Sequence, residues 1–194
     1  MRKSIKIMVG IRVVVAFIAV MLFSVLTTKN ILNMEHSEEY NVEVNALLQR
    51  AQKAEAAHYK WSNSLSNALY SDVEFTGSTD PTGCVLGQWL YGEPGTDDEE
   101  ILALRSKLEP LHKELHESAT YVLELKTTDP DQAQAYYQET ISSNLGVLVG
   151  LLDEVVERGT QLNQLSEEHM HKPVRTRHFV TTIGLVLTII CLLS

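Results

Sequence analysis

The sequence predicts an all-α fold, an antiparallel helical bundle of four-helix type with a short Cys-bearing helix, set between two transmembrane helices. Three observations predict it. Apolar residues recur at spacings of three and four through three long stretches, the signature of one helix face. No stretch carries a strand alternation of any strength. Residues 13–28 (VVVAFIAVMLFSVLTT) and 179–193 (FVTTIGLVLTIICLL) hold no charge, and a long polar stretch separates them. The 194 residues suffice for one domain with a proper core, and two cysteines exclude a disulfide-stapled mini-fold.

The first element is the apolar run. A helix needs roughly 20 apolar residues, at about 1.5 Å each, to cross a hydrocarbon core of about 30 Å. Residues 7–28 meet that length if Arg12 sits near the interface and snorkels. A secretory signal peptide shares the basic start and the apolar run. Here no small-residue cleavage site follows, and polar residues resume in a helical pattern. Arg2, Lys3, Lys6 and Arg12 precede the run, which predicts a cytoplasmic N-terminus because positive flanks are retained inside. The expected organisation is residues 1–29 as cytoplasmic N-terminus and first transmembrane helix, residues 30–178 as an extracytoplasmic sensor domain, and residues 179–194 as a second transmembrane helix. That second run spans only about 22 Å, so a longer protein is expected, of which this chain is the front part. Lys172, Arg175 and Arg177 pull against this topology, being basic residues on the predicted outer side of the second span.

Charge divides in the same way. Five of the 16 basic residues lie at or before Lys29, whereas all 25 acidic residues fall in residues 30–178. So acidic a middle region excludes nucleic-acid binding, which needs a basic footprint, and is compatible with attracting cations.

Within the middle region, Val44, Leu47, Leu48, Ala51, Ala54, His58, Trp61, Leu65 and Leu69 form one face of a first helix reaching about Tyr70. Residues 76–83 (TGSTDPTG) are turn chemistry. A short apolar piece, Cys84 to Tyr91, is closed by Gly92 and by Pro94-Gly95. Asp97 or Asp98 caps the next helix, whose face reads Ile101, Leu104, Leu108, Leu111, Leu115, Ala119 and Val122. Pro110 falls inside it and is expected to bend it. Asp129 as cap and Pro130 at the first helical position mark the last start, with Asp131 in the first turn. From there the face reads Tyr136, Ile141, Leu145, Leu148, Leu152, Val155, Leu162 and Leu165.

Residues 30–70 and 131–178 reach roughly 60 and 70 Å as helices, against about 42 Å for residues 98–126. Near the membrane each chain then offers two helices, too few to bury an apolar face on both. A second copy completes a four-helix stem there, so a homodimer is predicted.

Three segments carry chemistry. His58 and Trp61 lie one turn apart in Ala-His-Tyr-Lys-Trp, residues 84–92 read CVLGQWLYG, and residues 111–116 read LHKELH. His112 and His116 share a helical face and make a ready bidentate metal site. His58 from the antiparallel first helix and the Cys84 thiolate would close a tetrahedron, a donor set that suits Zn²⁺. Each part has a plainer reading. A helical His pair is most often surface or core decoration, and a lone Cys is usually a small buried apolar residue. On the outer side of a membrane, however, an unpaired thiol is oxidisable, and metal ligation would explain its survival; Cys191 lies in the second span, out of reach. His36, His169, His171 and His178 read as stem or interface residues, and the Asp97–Glu100 run as a helix start.

His-x-x-Trp, then Cys-x-Leu-Gly-x-Trp-Leu-Tyr-Gly, then His-x-x-x-His in a helical domain resembles the chemoreceptor zinc-binding domain, over roughly residues 50–158. The resemblance implies zinc held by His58, Cys84, His112 and His116, with Trp61 and Trp89 packing around the site. Gln88 and Ser62 stand where Lys is common in that family, and Pro110 is unusual within its helix. The family is most often met as a cytoplasmic module. A position between two spans instead follows the layout of a bacterial methyl-accepting chemotaxis protein, with its sensor domain outside the inner membrane.

Four protein ligands leave no open coordination position, and no nucleophile–base pair or phosphate loop is apparent, so no enzyme is expected. The expected function is a transmembrane chemoreceptor sensor region embedded in the lipid bilayer. Its stimulus would be zinc level or oxidation of Cys84, and its output a downstream chemotaxis kinase complex. Two other readings remain: a four-helix sensor for a small organic ligand with structural zinc, and the sensor of a diguanylate cyclase or histidine kinase.

Overall fold

In a computed structural model of the chain, the backbone of residues 2–71 and 73–193 is described, and the side chains of residues 7, 9–71, 73–168, 182 and 184. Among the described residues every regular element is helical, with no strand. Helix α1 runs Arg2–Tyr70, α2 Val85–Leu90, α3 Glu99–Thr128 and α4 Pro130–Tyr136; a π turn at Tyr137–Ile141 follows, and α5 runs Ser142–Leu193. The chain divides into two compact units, one of residues 42–163 and one of residues 1–41 with 164–194.

The unit of residues 42–163 holds the core. Its α1 face buries Val44, Leu47, Ala51, Ala54, His58, Trp61, Leu65 and Leu69, as the helical spacing predicts; Leu48 is half-buried. Helix α3 buries Ile101, Leu104, Leu108, Leu115, Ala119 and Val122 beside His112 and His116, and it continues through the exposed Pro110 as one element. The last face departs by one place from the expected stripe. Tyr137 is buried and Tyr136 half-buried, Tyr137 being the residue that stands four places before the buried Ile141. Beyond it Leu145, Leu148, Leu152, Val155 and Leu162 are buried as expected.

Caps fix the element starts. Asp98, not Asp97, accepts from the Ile101 N–H at 3.1 Å, and Asp129 accepts from the Gln132 N–H at 3.0 Å ahead of Pro130. Asp98 also accepts from Arg158 of α5 (Nη2 to Oδ2, 2.7 Å), which holds its carboxyl below the usual range. Lys126 donates to the Ala68 and Ser71 carbonyls, satisfying acceptors that the end of α1 leaves open.

Within α1, the stretch Val9–Tyr70 holds an 18-residue window apolar enough to cross a membrane, none of it buried. Apart from residues 182 and 184, the expected second span at 179–193, Cys191 included, lies outside the residues whose side chains are described, as do His169, His171 and His178.

Candidate metal centre

The four residues expected as ligands come from three elements. His58 is on α1, His112 and His116 are on α3, and Cys84 is the residue that caps α2. One donor atom from each lies within 4.8 Å of every other. The His58, His112 and His116 rings meet edge to face, with centroids 4.6 to 5.8 Å apart, and each is at most 2 % exposed. Cys84 is the more open member. Its Sγ lies 3.1 Å from His112 Nε2 and accepts from the Gly87 N–H at 3.2 Å.

The loop over the cluster explains the spacing of the Cys-x-Leu-Gly-x-Trp segment. A Cβ on Gly87 would stand 1.8 Å from the Pro81 carbonyl oxygen, so only glycine lets the 71–83 loop cross α2 there. That crossing brings the Ser78 carbonyl to the cluster, where it accepts from Trp61 Nε1–H at 2.8 Å and from His116 Nδ1–H at 3.0 Å. Trp61 therefore does more than pack, because it holds the carbonyl that orients the His116 ring.

His58 is oriented similarly, its Nδ1–H donating to the Ala54 carbonyl at 2.7 Å.

 

A carbonyl only accepts, so both rings carry their proton on Nδ1 and leave a lone pair on Nε2. Those two Nε2 atoms, and His112 Nδ1, are buried with no hydrogen-bond partner. Buried polar atoms left unpaired cost roughly 1–3 kcal/mol each, and a metal ion is the partner that would satisfy the two Nε2 lone pairs. The donor chemistry also fits. Ligands about 2.0–2.3 Å from a tetrahedral ion lie roughly 3.3–3.8 Å from one another, so the set needs to close by only about an ångström.

Electrostatics keep the donors ready. Burial lowers the pKa of His58; burial, with His116 and His58 alongside, takes His112 to about 3; and burial, with His58 alongside, takes His116 to about 4. The imidazoles are therefore neutral at physiological pH, as ligation requires. Burial pushes the Cys84 thiol up, so the sulfur gives up a proton when a metal binds.

These shifts make the metal-free chain acid-labile. Unfolded histidine takes its proton near pH 6.5, while folded His112 and His116 resist protonation down to about 3 and 4. The unfolded state thus binds more protons in that window, so stability is full above it and falls as the pH drops through it. Denaturant unfolding of the metal-free chain is expected to lose roughly 2 kcal/mol per histidine between pH 6.5 and pH 5. Equal midpoints at the two pH values would contradict the buried, neutral cluster.

An all-helical domain that gathers one thiol and three neutral imidazoles under a tight loop is a metal-binding module of the zinc class. Residues 58–123 match the family model described as the chemoreceptor zinc-binding domain, so the domain named by the resemblance is present in that segment, with all four donor residues inside it. The match is narrower than the expected 50–158. The matched family is a signalling domain and is not a known enzyme domain. No curated protein and no solved structure matches the chain.

The motif residues were legible in the sequence, but the Ser78 carbonyl was not, since a backbone acceptor leaves no mark on residue identity. Ser62, Ser118, Tyr136 and Tyr137 were not singled out as site residues either. Adjacent tyrosines after a proline-initiated helix were the available signal.

Proposed function

We propose that the chain is the sensor region of a transmembrane chemoreceptor in a bacterial inner membrane, with His58, Cys84, His112 and His116 as its zinc ligands. The observation that carries this reading is the convergence of those four donors, with two lone pairs fixed by backbone carbonyls and left unpartnered. Bound zinc would supply a closed four-point cross-link with no position left for activating water. The chain's own part is to present neutral imidazoles from α1 and α3 and a thiolate from the start of α2, so that occupancy fastens three elements together. Structural sites of this type contribute on the order of 10 kcal/mol, ample to bias helix packing.

The proposed organisation is residues 1–29 as cytoplasmic N-terminus and first span, 30–178 as an extracytoplasmic four-helix-type bundle, and 179–194 as second span. The basic N-terminal flank and the apolar window within α1 support it. The working unit is a homodimer, the stimulus is zinc level or oxidation of Cys84, and the output is a chemotaxis kinase complex. The test uses the full chain with Cys191→Ser, leaving Cys84 as the sole thiol. After chelator treatment, a membrane-impermeant maleimide is expected to label intact cells, and zinc to block the labelling. Labelling that appears only after lysis contradicts the topology, and labelling indifferent to zinc contradicts the ligand role of Cys84.

A further inference from the structure

The π turn at Tyr137–Ile141 departs from the α geometry of the helices on either side of it. Its Tyr137 carbonyl accepts from the Ser142 N–H, five residues on, so the turn holds one residue more than α geometry allows. The two tyrosines at its start reach in different directions, as adjacent helical residues do. Tyr137, buried, hydrogen-bonds through its hydroxyl to Ser62 Oγ at 2.8 Å and donates to the Ser62 carbonyl at 3.2 Å. Tyr136 donates to Ser118 Oγ at 3.3 Å and meets the Tyr121 ring edge to face.

The residues they reach flank the metal centre. Ser62 lies one helical turn after His58 and directly follows Trp61, whose indole shares the Ser78 carbonyl with His116. Ser118 lies two residues after His116 on the other ligand-bearing helix. One turn of chain therefore bridges α1 and α3 through hydroxyl groups close behind two of the three histidines. Phenylalanine would fill the same volume, so packing alone does not call for hydroxyls paired in a buried place.

We propose that Tyr136 and Tyr137 are positioning residues for the metal centre, bridging the helices that bear His58 and His116 and coupling zinc occupancy to the bonding of the π turn. This rests on the zinc reading above and adds to it a route by which the centre reaches the helix beginning at Ser142. Fastening His58 and His116 sets the separation of α1 and α3, and that separation decides whether both hydroxyl bridges are made together. A π turn is a poorly favoured geometry, so it is a natural place for such a change to register.

The test uses the full chain in detergent with zinc itself as the probe, comparing wild type with Tyr137→Phe, Tyr136→Phe and Ser62→Ala. Zinc affinity is measured by chelator competition, and amide hydrogen exchange is followed at residues 138–146. Zinc is expected to slow exchange there at least fivefold in wild type. Tyr137→Phe is expected to keep one zinc per chain, to bind it about fivefold more weakly, and to lose that protection. Ser62→Ala is expected to act alike, with the double variant little worse than either single one. Tyr136→Phe is expected to shift both readouts in the same direction, and it carries the test if Tyr137→Phe does not fold. Zinc binding with unchanged affinity and undiminished protection in Tyr137→Phe overturns the coupling and leaves the zinc centre standing. A wild-type chain that binds no zinc overturns the centre itself.

Discussion

His112→Ala is expected to cost the purified chain its stoichiometric zinc, with affinity falling about 100-fold or more. His112 is fully buried between His58 and His116, and its Nε2 is the nitrogen nearest the Cys84 sulfur. Removing it leaves two imidazoles and a thiol around a hole that water reaches. The effect is expected in the loaded state above all: zinc raises the thermal midpoint of the wild-type chain and leaves that of the variant nearly unmoved. His36→Ala, at an exposed position on α1, serves as control and is expected to bind zinc as wild type does. Metal analysis and chelator competition read both, and a His112→Ala chain that retains one tightly held zinc removes that residue from the ligand set.

Gly87→Ala is expected to damage the domain before any metal is added. The new Cβ would stand 1.8 Å from the Pro81 carbonyl oxygen and 2.9 Å from its carbon, and main chain cannot swing aside as a flexible side chain does. The 71–83 loop or α2 must shift. A shift of the loop withdraws the Ser78 carbonyl from Trp61 and His116; a shift of α2 withdraws Cys84 from His112. Overpacking of this kind costs roughly 1–3 kcal/mol, and the misplaced donor adds a loss of zinc affinity of about tenfold or more. Unfolding of the metal-free variant gives the first figure and chelator competition the second. Wild-type values for both would show that the loop does not hold the donors.

Much of this was legible in the residues because the controlling physics is local or periodic. Spacing of three and four picked out the buried faces of α1 and α3 almost residue by residue, and Asp129-Pro130 marked a helix start through capping chemistry alone. The donor set was legible because Cys and His are few and fall into tight motifs. What escaped depends on where separate segments cross. Leu165, expected on the buried stripe, is 51 % exposed, and Leu48 and Leu111 are half-buried, because helical phase fixes a direction but not what lies opposite. The π turn at Tyr137–Ile141 left no cue in composition, since such turns answer to tertiary contacts. Gly87 was visible as a motif glycine, but the carbonyl that demands it comes from six residues upstream through a loop whose path no pattern gives.

The most direct measurement of the central claim is X-ray absorption at the zinc edge on the full chain loaded with one equivalent of zinc. The account predicts a four-coordinate shell of one sulfur at about 2.3 Å and three nitrogens at about 2.0–2.1 Å, with the sulfur lost in Cys84→Ser. A shell without sulfur, or one with oxygen in place of the imidazole nitrogens, would contradict it.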